Sequence, residues 1–419
     1  MSSTTSYPQE KVELPAPVTA PARREGPGFL VTLLRCSVIF FGTLFLLDLF
    51  AEEPASHRAV KGCMGAMERH GRDHHHGQHP FPPVHKWKPF QGISHFELEP
   101  EIATGLTIKG AKTFGKIVFE TSKLSDKVVI DLDVKTSKTD KNSEVTVVND
   151  NGYITVNAPD TGRLKTFASA KIQIPSNLFG TYGLPKFEVD VPQHLVDLSG
   201  LPESLEIGEL IVRVAKGFVK AGPVHTNTTQ LTVVKGGLRG ALTSARESTN
   251  IDVANGNVTV DITKISSGSE GSSTIHLGDG DLKGTFSVYN STTIDVAKGS
   301  IYVTVDFADA ETRAELSTKI ASGDARVFVN SIAAERTFDA YHTSISGSQL
   351  ITYPENFQGT VTSRNLVGNI KLAGKDLAVE KTLAGRVGKK GDSERNSVSV
   401  KAAKGDLDIL IGDEVEDDE

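Results

Sequence analysis

IDVANGNVTVDI occupies residues 251–262, and IDVAKGSIYVTV occupies residues 294–305. In both stretches apolar and polar residues alternate on either side of a glycine. Ile251 and Val253 precede Gly256, and Val258, Val260 and Ile262 follow it; around Gly299 the same places hold Ile294, Val296, Ile301, Val303 and Val305. Successive side chains of an extended chain point to opposite faces, so this alternation predicts two short strands, each with one apolar face, meeting at the glycine. Glycine suits the joint because it accepts positive φ and leaves no side chain in the way of a neighbouring layer.

The pattern repeats outward from these two copies. VRVAKGFVKA (212–221), LTVVKGGLRGAL (231–242), IHLGDGDLKGTF (275–286), KIASGDARVFV (319–329) and VKAAKGDLDILI (400–411) align on Gly217, Gly236, Gly280, Gly323 and Gly405. Gly347 and Gly368 mark weaker copies, and the spacings from Gly217 to Gly368 run 19, 20, 24, 19, 24, 24 and 21 residues. A unit of roughly 20 residues cannot bury its apolar face alone, whereas stacked units bury a continuous strip. The expected fold is therefore all-β, a repetitive β-solenoid over residues 206–412. An antiparallel β-sandwich is the alternative, since it too is built from short alternating strands. The segment Ala308–Ser322 departs from the pattern and reads as one or two helical turns.

Residues 98–205 form an N-terminal β region. Val128, Ile130, Leu132 and Val134 are expected on one face, with Val129, Asp131 and Asp133 on the other. Shorter runs follow at 145–148, 153–156, 171–174 and 187–191, and Asn151-Gly152 reads as a hairpin turn between two of them.

The composition agrees with strands: Gly is frequent at 39 residues, and there are one Trp and three Met. Net charge is −7, and six of those negative charges lie in the tail 413–419. A nearly neutral body lacks the electrostatic footprint of a nucleic-acid binder. With two cysteines, Cys36 and Cys63, no disulfide can staple the β region.

Residues 29–50, FLVTLLRCSVIFFGTLFLLDLF, are long enough as a helix of ~33 Å to cross the ~30 Å hydrocarbon layer. Arg35 lies close enough to one end to snorkel, and Asp48 sits at the far edge. Arg23 and Arg24 precede the stretch, and Glu52 and Glu53 follow it. This bias predicts a single-pass signal-anchor with residues 1–28 as a disordered cytosolic tail and the C-terminal domain lumenal or extracellular. A signal peptide cut near Ala51 is the competing reading. Asn227, Asn257 and Asn290 begin glycosylation sequons and suit that placement.

Residues 51–97 form a linker rich in His, Pro and Gly. His70, His74, His75, His76 and His79 are capable of ligating a transition metal, but no Cys or carboxylate pair stands at fixed spacing beside them. The tract is therefore read as a polar linker, and no metal or cofactor is assigned.

The search for catalytic chemistry finds no nucleophile elbow, HExxH, P-loop or dinucleotide motif. Gly278-Asp279-Gly280-Asp281-Leu282 has the flavour of a calcium repeat, but it is a single copy and reads as a turn. Asp252, Asp261, Asp295 and Asp306 fall beside core positions of neighbouring repeats and are candidates to line up on one face, as carboxylates do in solenoid lyases and hydrolases. Solvated strand positions are the plainer explanation. His194, His225, His276 and His342 are scattered without an evident partner.

The repeats are similar to the putative-adhesin β-solenoid family of unknown function, which also occurs in single-span membrane proteins. The resemblance rests on Val-Ala-Lys-Gly or Val-Ala-Asn-Gly turns followed by a small or polar residue and alternating apolar positions, and it covers about residues 100–411. It implies a repetitive β fold with a surface or adhesive role and brings no catalytic residues. The expectation is a non-enzymatic, membrane-anchored protein that makes adhesive or structural contacts with glycans or surface proteins. A carbohydrate-active β-helix enzyme is the alternative.

Overall fold

The computed structural model describes residues 87–412, apart from 124–125, 138–144, 160–164, 179–182, 264–270, 309–312 and 384. The hydrophobic stretch 29–50, the tail 1–28, the histidines of the linker and the acidic tail lie outside the described residues. Among the described residues no helix is long and apolar enough to cross a membrane. They are all-β with one 3-10 turn, Ser176–Leu178, and all pairings belong to one sheet system.

Each repeat forms one coil of the stack, named here by its glycine. The Gly256 coil consists of Ser248–Asn255 and Val258–Thr263, and the Gly280 coil of Ser272–Asp279 and Leu282–Val288. First strands pair with first strands and second with second, always parallel: Ile251↔Ile275↔Ile294 on one side of the turn, Val258↔Leu282↔Ile301 on the other. The antiparallel pairing that a sandwich requires is absent between these repeats. The inward rows are buried, with Ile251, Ile275, Ile294, Val258, Leu282 and Ile301 all excluded from solvent.

The glycines themselves stack. From Gly217 to Gly405 their φ angles lie between 127° and 148°, a region closed to ordinary side chains. A Cβ on Gly256, Gly299 or Gly323 would run into the carbonyl of the glycine one coil below. The residue after the glycine secures the turn. Asn257 Oδ1 accepts the Asp281 amide (3.0 Å), Asp281 accepts that of Ser300 (3.0 Å), and Asp324 accepts that of Ser348 (2.9 Å). Gly278–Leu282 is thus a turn of this series.

One expectation is corrected. Ala314–Ser322 is a strand, the first of the Gly323 coil, and pairs in parallel with Ser291–Lys298 and Phe338–Ser346. Its Ala314, Leu316, Thr318 and Ile320 point inward, so packing against neighbouring coils overrides the helix-favouring composition. Val129, on the other face of its strand, is also buried, with Glu97 of the neighbouring His95–Leu98 opposite it.

Coil order departs from chain order at the C-terminal end. Phe338–Ser346 pairs with Ser397–Lys404, which in turn pairs with Gly359–Val367. Gln349–Tyr353 likewise pairs with Leu407–Ile411, and that strand with Ile370–Gly374. The Gly405 coil is therefore inserted between the Gly347 and Gly368 coils. Asn396, itself buried, fixes this order: its Oδ1 accepts the Phe338 amide (2.9 Å) and its Nδ2 donates to Gln358 O (2.7 Å). Gln349 adds a donor to Lys401 O (2.8 Å).

Antiparallel strands finish both ends. At the C-terminal end Gly385–Lys390 lies antiparallel to Gly359–Val367 and to Ala378–Thr382. At the other end Val128–Thr136 lies antiparallel to Thr166–Pro175 and to His95–Leu98. The strand Leu184–Asp197 joins the N-terminal β region to the repeats, pairing in parallel with Thr113–Ser122 and with Glu206–Ala221.

Candidate functional site

Counting from each glycine sorts the outward residues. Four residues before it lies one column of the first ladder: Arg213, Thr232, Asp252, His276, Asp295, Lys319, Thr343 and Lys401 in register. Its charges are balanced. Arg213 pairs with Glu188, His276 Nδ1 lies 3.4 Å from Asp295 Oδ2, and Lys319 Nζ lies 3.9 Å from Asp295 Oδ1. Hydrogen bonding to Asp295 holds the His276 pKa above the ordinary value, against partial burial.

The four aspartates do not share a row. Asp252 and Asp295 flank His276 on the first ladder. Asp261 lies on the second strand of its coil beside Ala241, and Asp306 lies in another row beside Ser287 and Ser331. Asp261 accepts the Thr285 amide (2.8 Å), and Asp306 accepts Asn330 Nδ2 (3.0 Å) and Ser331 Oγ (2.6 Å). These two carboxylates serve the strands. No hydroxyl among the described residues hydrogen-bonds His276, and no group of three His, Cys, Asp or Glu among them is arranged to hold a metal ion.

Three residues after the glycine lies a column of the second ladder: Lys220, Arg239, Thr259, Lys283, Tyr302 and Arg326, then Leu350, Asp408 and Lys371. Here cations predominate. The Lys283 ammonium lies 5.5 Å from the Tyr302 ring centre and the Arg326 guanidinium 5.3 Å, while Arg239 stacks on Phe218 at 5.1 Å. Phe328 is exposed on the same side of the Gly323 coil.

The other histidines are structural or peripheral. His194 takes the glycine position of the coil below Gly217; it is buried, and Nε2 donates to Ala168 O (2.9 Å). Burial lowers its pKa to about 4. His342 is buried between Thr318 (2.7 Å) and Tyr353 (3.0 Å), and burial lowers its pKa to about 3 while raising that of the Tyr353 phenol. His225 borders a shallow depression of about 200 Å³ with Glu206, Asn227 and Arg246, where strands Glu206–Ala221 and His225–Thr243 begin. Arg246 pairs there with Glu206 (2.8 Å). Asn227, Asn257 and Asn290 are exposed, in that depression, at a glycine turn and between two strands respectively.

No family model matches the chain, and no curated protein matches it. Two solved structures are similar over most of its length. One is described as a putative cell adhesion protein from Clostridium sporogenes ATCC 15579: 11% identity, 77% of this chain and 100% of that chain, TM-score 0.17. The other is described as a putative lipid binding protein from Parabacteroides distasonis ATCC 8503: 9% identity, 74% of this chain and 95% of that chain, TM-score 0.24. Likeness at this level carries no argument about function.

Proposed function

We propose that this chain is a membrane-anchored contact protein, held through residues 29–50, whose β-solenoid body presents its outward columns to surface partners outside the cytosol and performs no reaction of its own. The observation that supports the reading is the register. Columns at fixed distances from the glycine stay in register across successive coils, giving long outward rows of side chains. A stacked repeat array suits extended contact, because its surface grows with coil number while each coil contacts only its neighbours.

The test uses the full chain in sealed microsomes. Protection of the body from added protease, with a mass decrease on endoglycosidase treatment, is expected. Digestion of the body by external protease would place it on the cytosolic side and overturn the reading. Adherence of full-chain proteoliposomes to cell-surface glycan or protein layers, above that of empty liposomes, is the second expected result.

A further inference from the structure

The most unusual surface is the column three residues after the glycine. On the first ladder Arg213 stands beside Glu188 and Lys319 beside Asp295, while Lys216 and Lys401 are exposed with neither a carboxylate nor an aromatic ring beside them among the described residues. On the second ladder Arg239, Lys283 and Arg326 are exposed, and none forms an ion pair with a carboxylate among the described residues. Aromatic faces hold them instead. The nearby carboxylates of Asp261 and Asp306 each turn Oδ1 to amide or hydroxyl donors of adjacent coils.

We infer that this column binds an extended acidic polysaccharide, with Arg239, Lys283 and Arg326 each meeting one anionic group and Tyr302 lying under the sugar between two of them. The inference rests on the contact reading above and names its ligand. Three observations carry it.

First, the charge is local: the body as a whole is nearly neutral, whereas Arg239, Lys283 and Arg326 project from one column with no carboxylate paired to them, an arrangement that favours an anion over a neutral ligand. Second, the cations are held apart. Lys283 and Arg326 sit on the two sides of Tyr302 along the column, so less side-chain freedom is lost when a ligand arrives.

Third, the spacing selects the polymer. Lys220, one strand from Arg239, is paired with Asp197; beyond it Thr259 separates Arg239 from Lys283, and Tyr302 separates Lys283 from Arg326, so the three cations without a carboxylate partner recur every two strands, roughly 9.6 Å. That distance matches the advance of one disaccharide in an extended polysaccharide with one acid per repeat. Duplex DNA instead presents phosphates every ~3.4 Å along each strand, out of step with the column.

The experiment measures retention of the full chain, in proteoliposomes, on immobilised hyaluronate, chondroitin sulfate and neutral dextran, over a salt series. Anionic phosphatidylserine vesicles and single-stranded DNA serve as competitors. The expected result is salt-sensitive retention on the acidic polysaccharides and none on dextran. Chondroitin sulfate carries the uronate carboxylate of hyaluronate plus a sulfate, so retention on hyaluronate shows that the carboxylate suffices and tighter retention on chondroitin sulfate reads the added sulfate. The triple variant Arg239→Gln, Lys283→Gln, Arg326→Gln should lose at least tenfold in affinity. A triple of equal charge change on the first ladder, Lys216→Gln, Lys319→Gln, Lys401→Gln, should change it by less than twofold.

Equal loss in both triples, no retention on either acidic polymer, or complete displacement by vesicles or DNA would overturn the inference. Proteoliposomes of the first triple that still adhere to cell surfaces would leave the contact reading standing while this ligand assignment falls. Thermal midpoints of both triples, expected within a degree or two of the parent for exposed substitutions, separate loss of binding from loss of fold.

Discussion

The middle of the stack and its C-terminal end solve the same packing problem differently. From the Gly256 to the Gly299 coil, spatial order follows chain order, and the rows centred on Ile251, Ile275 and Ile294 are aliphatic. From the Gly323 coil onward that same row continues as Thr318 and His342 and then returns to Val400. Aliphatic rows are interchangeable, because any coil fits on any other. Directional hydrogen bonds from Asn396 and Gln349 accept only one neighbour, which is what an end with inserted order needs. The comparison teaches that uniform hydrophobic stacking sets coil geometry, while buried polar groups set which coil goes where.

The strongest way to break this contrast is to delete residues 397–419. Val398, Val400, Leu407, Ile409 and Ile411 are buried, and losing several such residues at about 2–5 kcal/mol each exceeds the net stability of a typical domain, about 5–15 kcal/mol. The expected outcome is loss of amide-exchange protection in residues 338–390 while the Gly256 coil keeps much of its own. Full protection at 338–390 would mean that the Gly347 and Gly368 coils pair directly.

Gly299→Val tests the middle. Its Cβ meets the Gly280 carbonyl and its φ is 137°, so a loss of about 2–5 kcal/mol in urea unfolding is expected. A third pair sharpens the comparison. Ile275→Ala should cost about 2–5 kcal/mol by cavity formation. Asn396→Ala should cost about 1–3 kcal/mol for each amide or carbonyl left unpaired, with the loss of exchange protection confined to Phe338 and residues 358–374.

The pH dependence separates the regions by sign. Unfolded histidine takes a proton near pH 6.5, but folded His342 does so only near about 3 and His194 near about 4. Below pH 6.5 the unfolded chain binds protons that the folded chain does not, so this contribution is complete above pH 6.5 and declines as the pH falls toward 4. Urea midpoints should therefore drop between pH 7 and pH 5, and less so in His342→Gln. The raised pKa of His276 works the other way: its contribution is present at low pH and is lost as pH rises above 6.5. Since that pair is partly exposed, Asp295→Asn should change stability by at most about 1 kcal/mol. A larger change would make the first-ladder column a structural element in its own right.

Much of the stack was legible because one signal, the glycine, sets both conformation and register. Asp252 and Asp295 precede their glycines by four residues, whereas Asp261 and Asp306 follow theirs by five and seven, which already separates them into different rows. Arg239, Lys283, Tyr302 and Arg326 all stand three after a glycine, so the basic column was readable from the alignment alone.

Two features were not readable in this way. The copy at Gly405 has the same pattern as any other coil, and nothing in its periodicity says that it will lie ahead of Gly368; the deciding groups are single buried amides such as Asn396. The strand at 314–322 was hidden because ADAETRAELS favours a helix locally, and only neighbours on both sides make it extended.

The inserted coil also governs the timing of assembly. Coils up to Gly347 each add to a surface already made, so they can settle one by one in chain order. The segment 359–390 comes next but has no seat until residues 397–411 arrive, so its docking waits for a strand pair later in the chain. Until then the Gly347 coil is an open strand edge of the kind that recruits other chains, and only a complete molecule shields it.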